Sequence, residues 1–137
     1  MMNKSIRRNV MASAALTAGT TTSQTEKNTW GRGIRFYVTA SSVTATGTVD
    51  SFNLCAAPPN GGSVIALVGF SAANLLSVAG TWCFDFYPGA WLPVSGLSTS
   101  GHLMGAAGVE IPLAWAVQVI LGTGNAATIA VDAEILP

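Results

Sequence analysis

Few residues in this chain are of the types that do chemistry. His102 is the only histidine, and Ser98 or Ser100 with Asp85 would complete a Ser-His-acid set around it. A serine nucleophile of that kind sits on a strained G-x-S-x-G elbow that exposes its oxygen. Ser98-Thr99-Ser100-Gly101-His102 lacks the elbow and reads as a loop. A metal site would need His102, Cys55, Cys83 and a carboxylate to converge, and no C-x-x-C or H-x-x-x-H spacing gathers them. The acids are too few and scattered to suggest the paired carboxylates of a glycosidase. Gly122-Thr123-Gly124-Asn125-Ala126-Ala127 follows an apolar run and matches the dinucleotide-binding spacing. The helix that spacing must open is missing, because Thr128–Leu136 alternates, and the segment reads as a hairpin turn. The expectation is a non-enzyme without metal or cofactor.

Binding chemistry is better represented. Trp91, in the loop Pro88-Gly89-Ala90-Trp91-Leu92-Pro93, and Trp30 are candidates either to cover a protein contact or to stack on a sugar face. In the sugar-binding alternative His102 and Asn60 would add polar contacts. Cys55 and Cys83 both fall in β-rich runs, where they would either bridge two sheets or remain as two buried thiols.

Charge is unevenly spread. Residues 1–35 hold every basic side chain, Lys4, Arg7, Arg8, Lys27, Arg32 and Arg35, opposed only by Glu26, for a net +5. Residues 36–137 hold Asp50, Asp85, Glu110, Asp132 and Glu134 and no cation, for a net −5. Nucleic-acid binding by that body is excluded on this ground, since nothing there can displace counterions from phosphate. A soluble domain normally keeps about a quarter of its surface charged. This body falls far short, and Ala, Gly, Ser and Thr make up 62 of the 137 residues. Charge is removed where protein meets protein, because desolvating it is costly, so the composition points to an assembling protein. With half its residues hydrophobic and zero net charge, the chain is not expected to be disordered.

The elements that must carry these residues are strands. Ile34, Phe36 and Val38 alternate with Arg35, Tyr37 and Thr39; Trp82, Phe84 and Phe86 alternate with Cys83, Asp85 and Tyr87. Trp115, Val117, Val119 and Leu121 share one face, as do Ile129, Val131, Ala133 and Ile135. Thr46–Ala56 is a further β-rich run, ended by Pro58-Pro59-Asn60-Gly61-Gly62. Ser63–Phe70 is continuously apolar and reads as a strand buried on both faces, too punctuated by Gly and Ser to span a membrane. Val109–Leu113 reads as an edge or a bulge because of Pro112. Only Ala12–Ala18 and Ala72–Val78 look briefly helical. About seven strands punctuated by turns predict an all-β chain with one sandwich, jelly-roll or immunoglobulin-like, over residues 33–137. Residues 1–32 read as a basic extended N-terminal arm. Its Lys4, Arg7 and Arg8 followed by Val10–Ala18 also fit a signal peptide loosely, but Ser13 and Thr17 interrupt the apolar stretch.

A basic arm, a small Gly/Ser/Thr/Ala-rich sandwich and an almost charge-free body resemble the small virion structural proteins of tailed bacteriophages, of the capsid decoration or cement type. Small tail and head-completion proteins are near neighbours. The run Gly80-Thr81-Trp82-Cys83-Phe84-Asp85-Phe86-Tyr87-Pro88-Gly89 shares their character, and the likeness spans the whole chain loosely. It implies a non-catalytic protein of the capsid surface that binds the major capsid protein and copies of itself, with a trimer favoured. The arm, through Lys4, Arg7, Arg8, Lys27 and Arg32 and the strand-forming Thr-rich tract, would dock on the shell. The alternative from another class is a carbohydrate-binding or adhesion sandwich.

Overall fold

The computed structural model describes residues 6–27, 31–86, 102–106 and 111–136. Among the described residues it contains ten strands and no helix. They are β1 (Ile6–Leu16), β2 (Gly19–Thr22), β3 (Glu26–Lys27), β4 (Gly33–Thr44), β5 (Val49–Ala56), β6 (Ile65–Ala73), β7 (Gly80–Phe86), β8 (His102–Ala106), β9 (Ala114–Leu121) and β10 (Ala126–Leu136).

Their pairing is nested. β5 pairs with β6, β4 with β7, β2 with β9 and β1 with β10, all antiparallel, as in one long hairpin doubled back at the β5–β6 turn. Further pairing of β10 with β4 and of β9 with β5 rolls this hairpin into two layers. The first sheet runs β1-β10-β4-β7-β8 and the second β2-β9-β5-β6, with β3 added beside β9. A nested hairpin rolled into two facing four-stranded sheets is a jelly roll; β8, parallel to β7, extends the first sheet.

The alternating residues meet between the sheets. Ile34, Phe36 and Val38 of β4, Phe84 and Phe86 of β7 and Ile129 and Val131 of β10 face Phe52 and Leu54 of β5 and Trp115, Val117 and Val119 of β9, all buried. Phe52 stacks on Phe84 at 4.6 Å across the layers, and Phe36 meets Phe52, Phe86 and Trp115 edge-on at 5.3 to 5.6 Å. These are the offset and T-shaped arrangements that aromatic quadrupoles favour.

Several expectations change. Residues 6–27 are extended, and their backbone bonds are made within the chain: β1 closes one edge of the first sheet and β2 one edge of the second. Ala12–Ala18 is mostly strand, and Ala72–Val78 ends β6 and turns, so neither is helical. β6 is an outer strand, with Ile65 60% and Leu67 42% exposed, not a strand buried on both faces. An apolar run reads alike in a sheet's centre and at its margin. The Gly122–Asn125 turn joins strands of different sheets, so it is a corner and not a hairpin. Cys55 and Cys83 lie in opposite sheets as free thiols.

One buried carboxylate holds that corner. Asp50, fully buried at the start of β5, accepts from the backbone N–H of Leu76, Ser77 and Gly122, the Ser77 hydroxyl and Asn125 Nδ2, at 2.8 to 3.1 Å. Asn125 Oδ1 in turn accepts from Thr46 N, the Thr46 hydroxyl lies 3.0 Å from both Asn125 Oδ1 and Thr123 O as alternative acceptors, and the Thr48 hydroxyl donates to Thr123 O. Gly122 is required by close approach, since a Cβ there would meet Thr48 Oγ1 and Val49 O.

Candidate interaction surface

The two sheets present unlike surfaces. On the first sheet, register places Arg7 opposite Glu134, Glu134 opposite Arg35 and Arg35 opposite Asp85. The row crosses four strands with alternating charge. Two residues along, Asn9, Asp132, Tyr37 and Cys83 form a second row on the same face. Antiparallel pairing brings such opposed side chains within contact distance.

The pairs are made. Arg35 grips Asp85 with two bonds, Nε to Oδ1 at 2.8 Å and an Nη2 to Oδ2 at 2.9 Å, the fork geometry that makes arginine–carboxylate pairs strong. The bond to Asp85 raises the Arg35 guanidinium above its ordinary range. Tyr37 donates its hydroxyl to Glu134 Oε2 at 3.0 Å, and Asn9 Nδ2 donates to Asp132 Oδ1 at 2.9 Å. Burial pushes the Tyr37 phenol up, and the bond to Glu134 adds to this against the opposing pull of Arg35. Burial also raises the thiols of Cys83 and Cys55; at Cys83 the Arg35 cation opposes this and Asp85 and Glu134 add to it. An open groove of about 320 Å³ runs over Arg7, Arg8, Asn9, Tyr37 and Asp132.

Away from β3, which carries Glu26 and Lys27, the second sheet has a neutral surface. Ser51 and Ser71 share a hydrogen bond across β5 and β6, and Asn53 lies over Gly69, where a Cβ would strike its side chain. The exposed large hydrophobic residues among those described, Val49, Ile65, Leu67 and Leu113, all lie on this sheet's strands or just before β9. Ile65 and Leu113 join Ala57, Pro58, Pro59 and Pro112 in lining a second groove of about 670 Å³.

The arm cations are not gathered into one patch. Arg8 is turned back on the chain, its Nη1 3.2 Å from Glu26 Oε2 and from Lys27 O. Arg7 stands exposed in the charged row, Lys27 is exposed at the rim of the apolar groove, and Arg32 is exposed with its backbone N–H donating to Leu136 O. Lys4, Trp30 and Trp91 lie outside the described residues, as do Ser98 and Ser100. His102 opens β8 opposite Trp82, and Asn60 caps its own turn by accepting from Gly62 N. Among the described residues no group of three His, Cys, Asp or Glu converges on a possible metal position, and no helix is long and apolar enough to cross a membrane.

Sequence reasoning singled out the arm cations and missed Arg35, Tyr37, Asp85, Asp132 and Glu134 as one surface. The signal was present in the alternation, which already put each on its strand's outward side. Comparison with protein-family models, curated proteins and solved structures finds no match to this chain.

Proposed function

We propose that the chain is a non-enzymatic structural protein of a virus particle, of the capsid decoration or cement type, which binds the shell and other copies of itself. The observation that carries this reading is the asymmetry between the sheets. The first sheet's charges alternate in sign across its strands, whereas the second sheet carries Val49, Ser51, Asn53, Gly69 and Ser71 on its outward side and exposes Ile65, Leu67 and Leu113 at its margin. A surface that is neutral and partly apolar gains from contact with protein and loses little by desolvation. The jelly roll supports the reading as an analogy, because viral shells use it among other proteins.

The mechanism differs from that of a free arm. β1 and β2 already spend one edge each on β10 and β9, so docking falls to the neutral face and grooves of the second sheet, with many copies on a lattice adding avidity. The test is co-sedimentation of purified chain with virus particles from the cells that make it, with gold-labelled antibody locating it on the shell. Recovery in the particle fraction with surface label is expected. Chain left in the supernatant, with unlabelled particles, would overturn the reading, and label confined to the tail would move it to a tail or head-completion role.

The carbohydrate-binding alternative has one observation in its favour. The groove on the first sheet sets the Tyr37 ring beside Arg7, Asn9 and Asp132, donors and acceptors of the kind that recognise hydroxyls. A glycan array that lights up for the unaltered chain and not for Tyr37→Ala would favour it.

A further inference from the structure

Among the described residues the two sheets have five outer strands, and four are guarded or short. β1 carries Arg7 and Arg8 and breaks register twice, between Asn9 and Met11 and between Met11 and Ala14. β2 has four residues, β3 two and β8 five. Charge, irregular register and shortness are the devices by which proteins keep a sheet's edge from pairing with another chain. β6 uses them least. It has nine residues, six of them exposed, and no proline. No charged residue occurs anywhere between Asp50 and Asp85. Its single register shift falls at Leu67, where Leu54 pairs with Val68 and Cys55 with Ala66, and leaves Val68–Ala73 in unbroken register against β5. Among the described strands nothing pairs with its outer side.

From this edge we infer that two copies of the chain join β6 to β6, antiparallel about a two-fold axis, so that their second sheets run on as one. The occupant follows from the chemistry of the strip. A two-fold contact brings a surface against itself, so a charged strip repels its own copy and a neutral one does not. β1, with its two arginines, fails that condition, and β6 meets it. Pairing satisfies the outward backbone groups of β6, and Ile65 and Leu67, 60% and 42% exposed, lose water against the other copy. The groove lined by Ile65, Pro58 and Leu113 opens beside the start of β6, where the partner's apolar side chains can enter. This inference rests on reading the second sheet as a contact surface and does not need the virion.

Light scattering coupled to size exclusion tests it, with the full chain, Ile65→Lys, Leu67→Lys and, as control on the other edge of the same sheet, Thr20→Lys. The unaltered chain is expected at 28 kDa or a multiple, twice the 14.0 kDa of one copy. Both β6 variants should halve that mass, and Thr20→Lys should leave it unchanged. A 14.0 kDa unaltered chain at 100 µM (about the working range of such columns), or an assembly that survives both β6 substitutions, would overturn the proposal. Because a lysine variant can fail to fold, hydrogen exchange on the unaltered protein gives a second reading: amides of residues 65–73 should gain protection as concentration rises. An assembled protein whose β6 amides exchange independently of concentration would also overturn it. A monomeric Leu67→Lys that still sediments with particles would leave the virion reading standing and show that pairing is separate from docking.

Discussion

Asp85 and Asp50 sit on strands of opposite sheets, each almost wholly removed from water, and they are satisfied in opposite ways. Asp85 is on the outward side of β7, 5% exposed, and its partner is a cation, Arg35, one strand away. Asp50 is on the inward side of β5, and its partners are five neutral donors from the Leu76–Ser77 turn and the Gly122–Asn125 corner. The first sheet therefore keeps its charge at the surface and cancels it laterally. The second withdraws the carboxylate of its central strand β5 into the fold and uses it to tie loops together, and its other acid, Glu26 on β3, is paired with Arg8. This is what leaves the second sheet's outer surface neutral, and it separates a stabilising charge from one that a partner would have to desolvate.

The largest loss of stability is expected at Asp50. Asp50→Ala leaves five donors without their acceptor and is expected to cost about 3–5 kcal/mol, the range for removing one side of a buried charged network. Urea unfolding measures it, and Asp50→Asn should recover only part, because its amide –NH2 then faces donors. A loss below 1 kcal/mol would mean that the corner holds without the carboxylate.

A smaller effect is expected across the first sheet. Arg35→Met leaves Asp85 covered and unpaired, at about 2 kcal/mol after allowing for the exposed part of the guanidinium. Arg35→Met combined with Asp85→Asn should recover most of that, and additive losses in the cycle would show that the two are not coupled.

Tyr37 sharpens the contrast through pH. Its folded-state phenol titrates above the ordinary value of 10.0, so its contribution is fully present below pH 10 and is lost as the pH rises toward the folded value. Tyr37→Phe should cost about 1 kcal/mol at neutral pH through the lost bond to Glu134, and should flatten the fall in melting temperature above pH 10. Equal alkaline limbs in the two proteins would show that Tyr37 does not titrate as its surroundings require.

The smallest effect is one of rate. With both thiols raised by burial, Cys55 and Cys83 should react slowly with a disulfide reagent at pH 8 and fast in denaturant. Rapid labelling of one thiol per native chain would show that one sheet opens more readily than the other.

Much of this was legible residue by residue. The alternation at Ile34–Thr39, Trp82–Phe86, Trp115–Leu121 and Ile129–Ile135 determined the strands and their buried sides, because side chains of an extended chain point alternately to two faces whatever lies beside it. The scarcity of charge from residue 36 onward determined that some surface would be neutral. Neighbourhood was decided only in the folded molecule. Sheets form through backbone groups that every residue carries alike, so nothing local to Ser63–Phe70 distinguishes a central strand from the outer strand β6. For the same reason the arm's Thr20–Thr22 found β9 of its own chain. Arg7, Glu134, Arg35 and Asp85, as much as 127 positions apart, became one charged row only when register aligned four strands. A local pattern sets which way each side chain points; which side chains then meet is a long-range choice, made by the closing of the two-layered core.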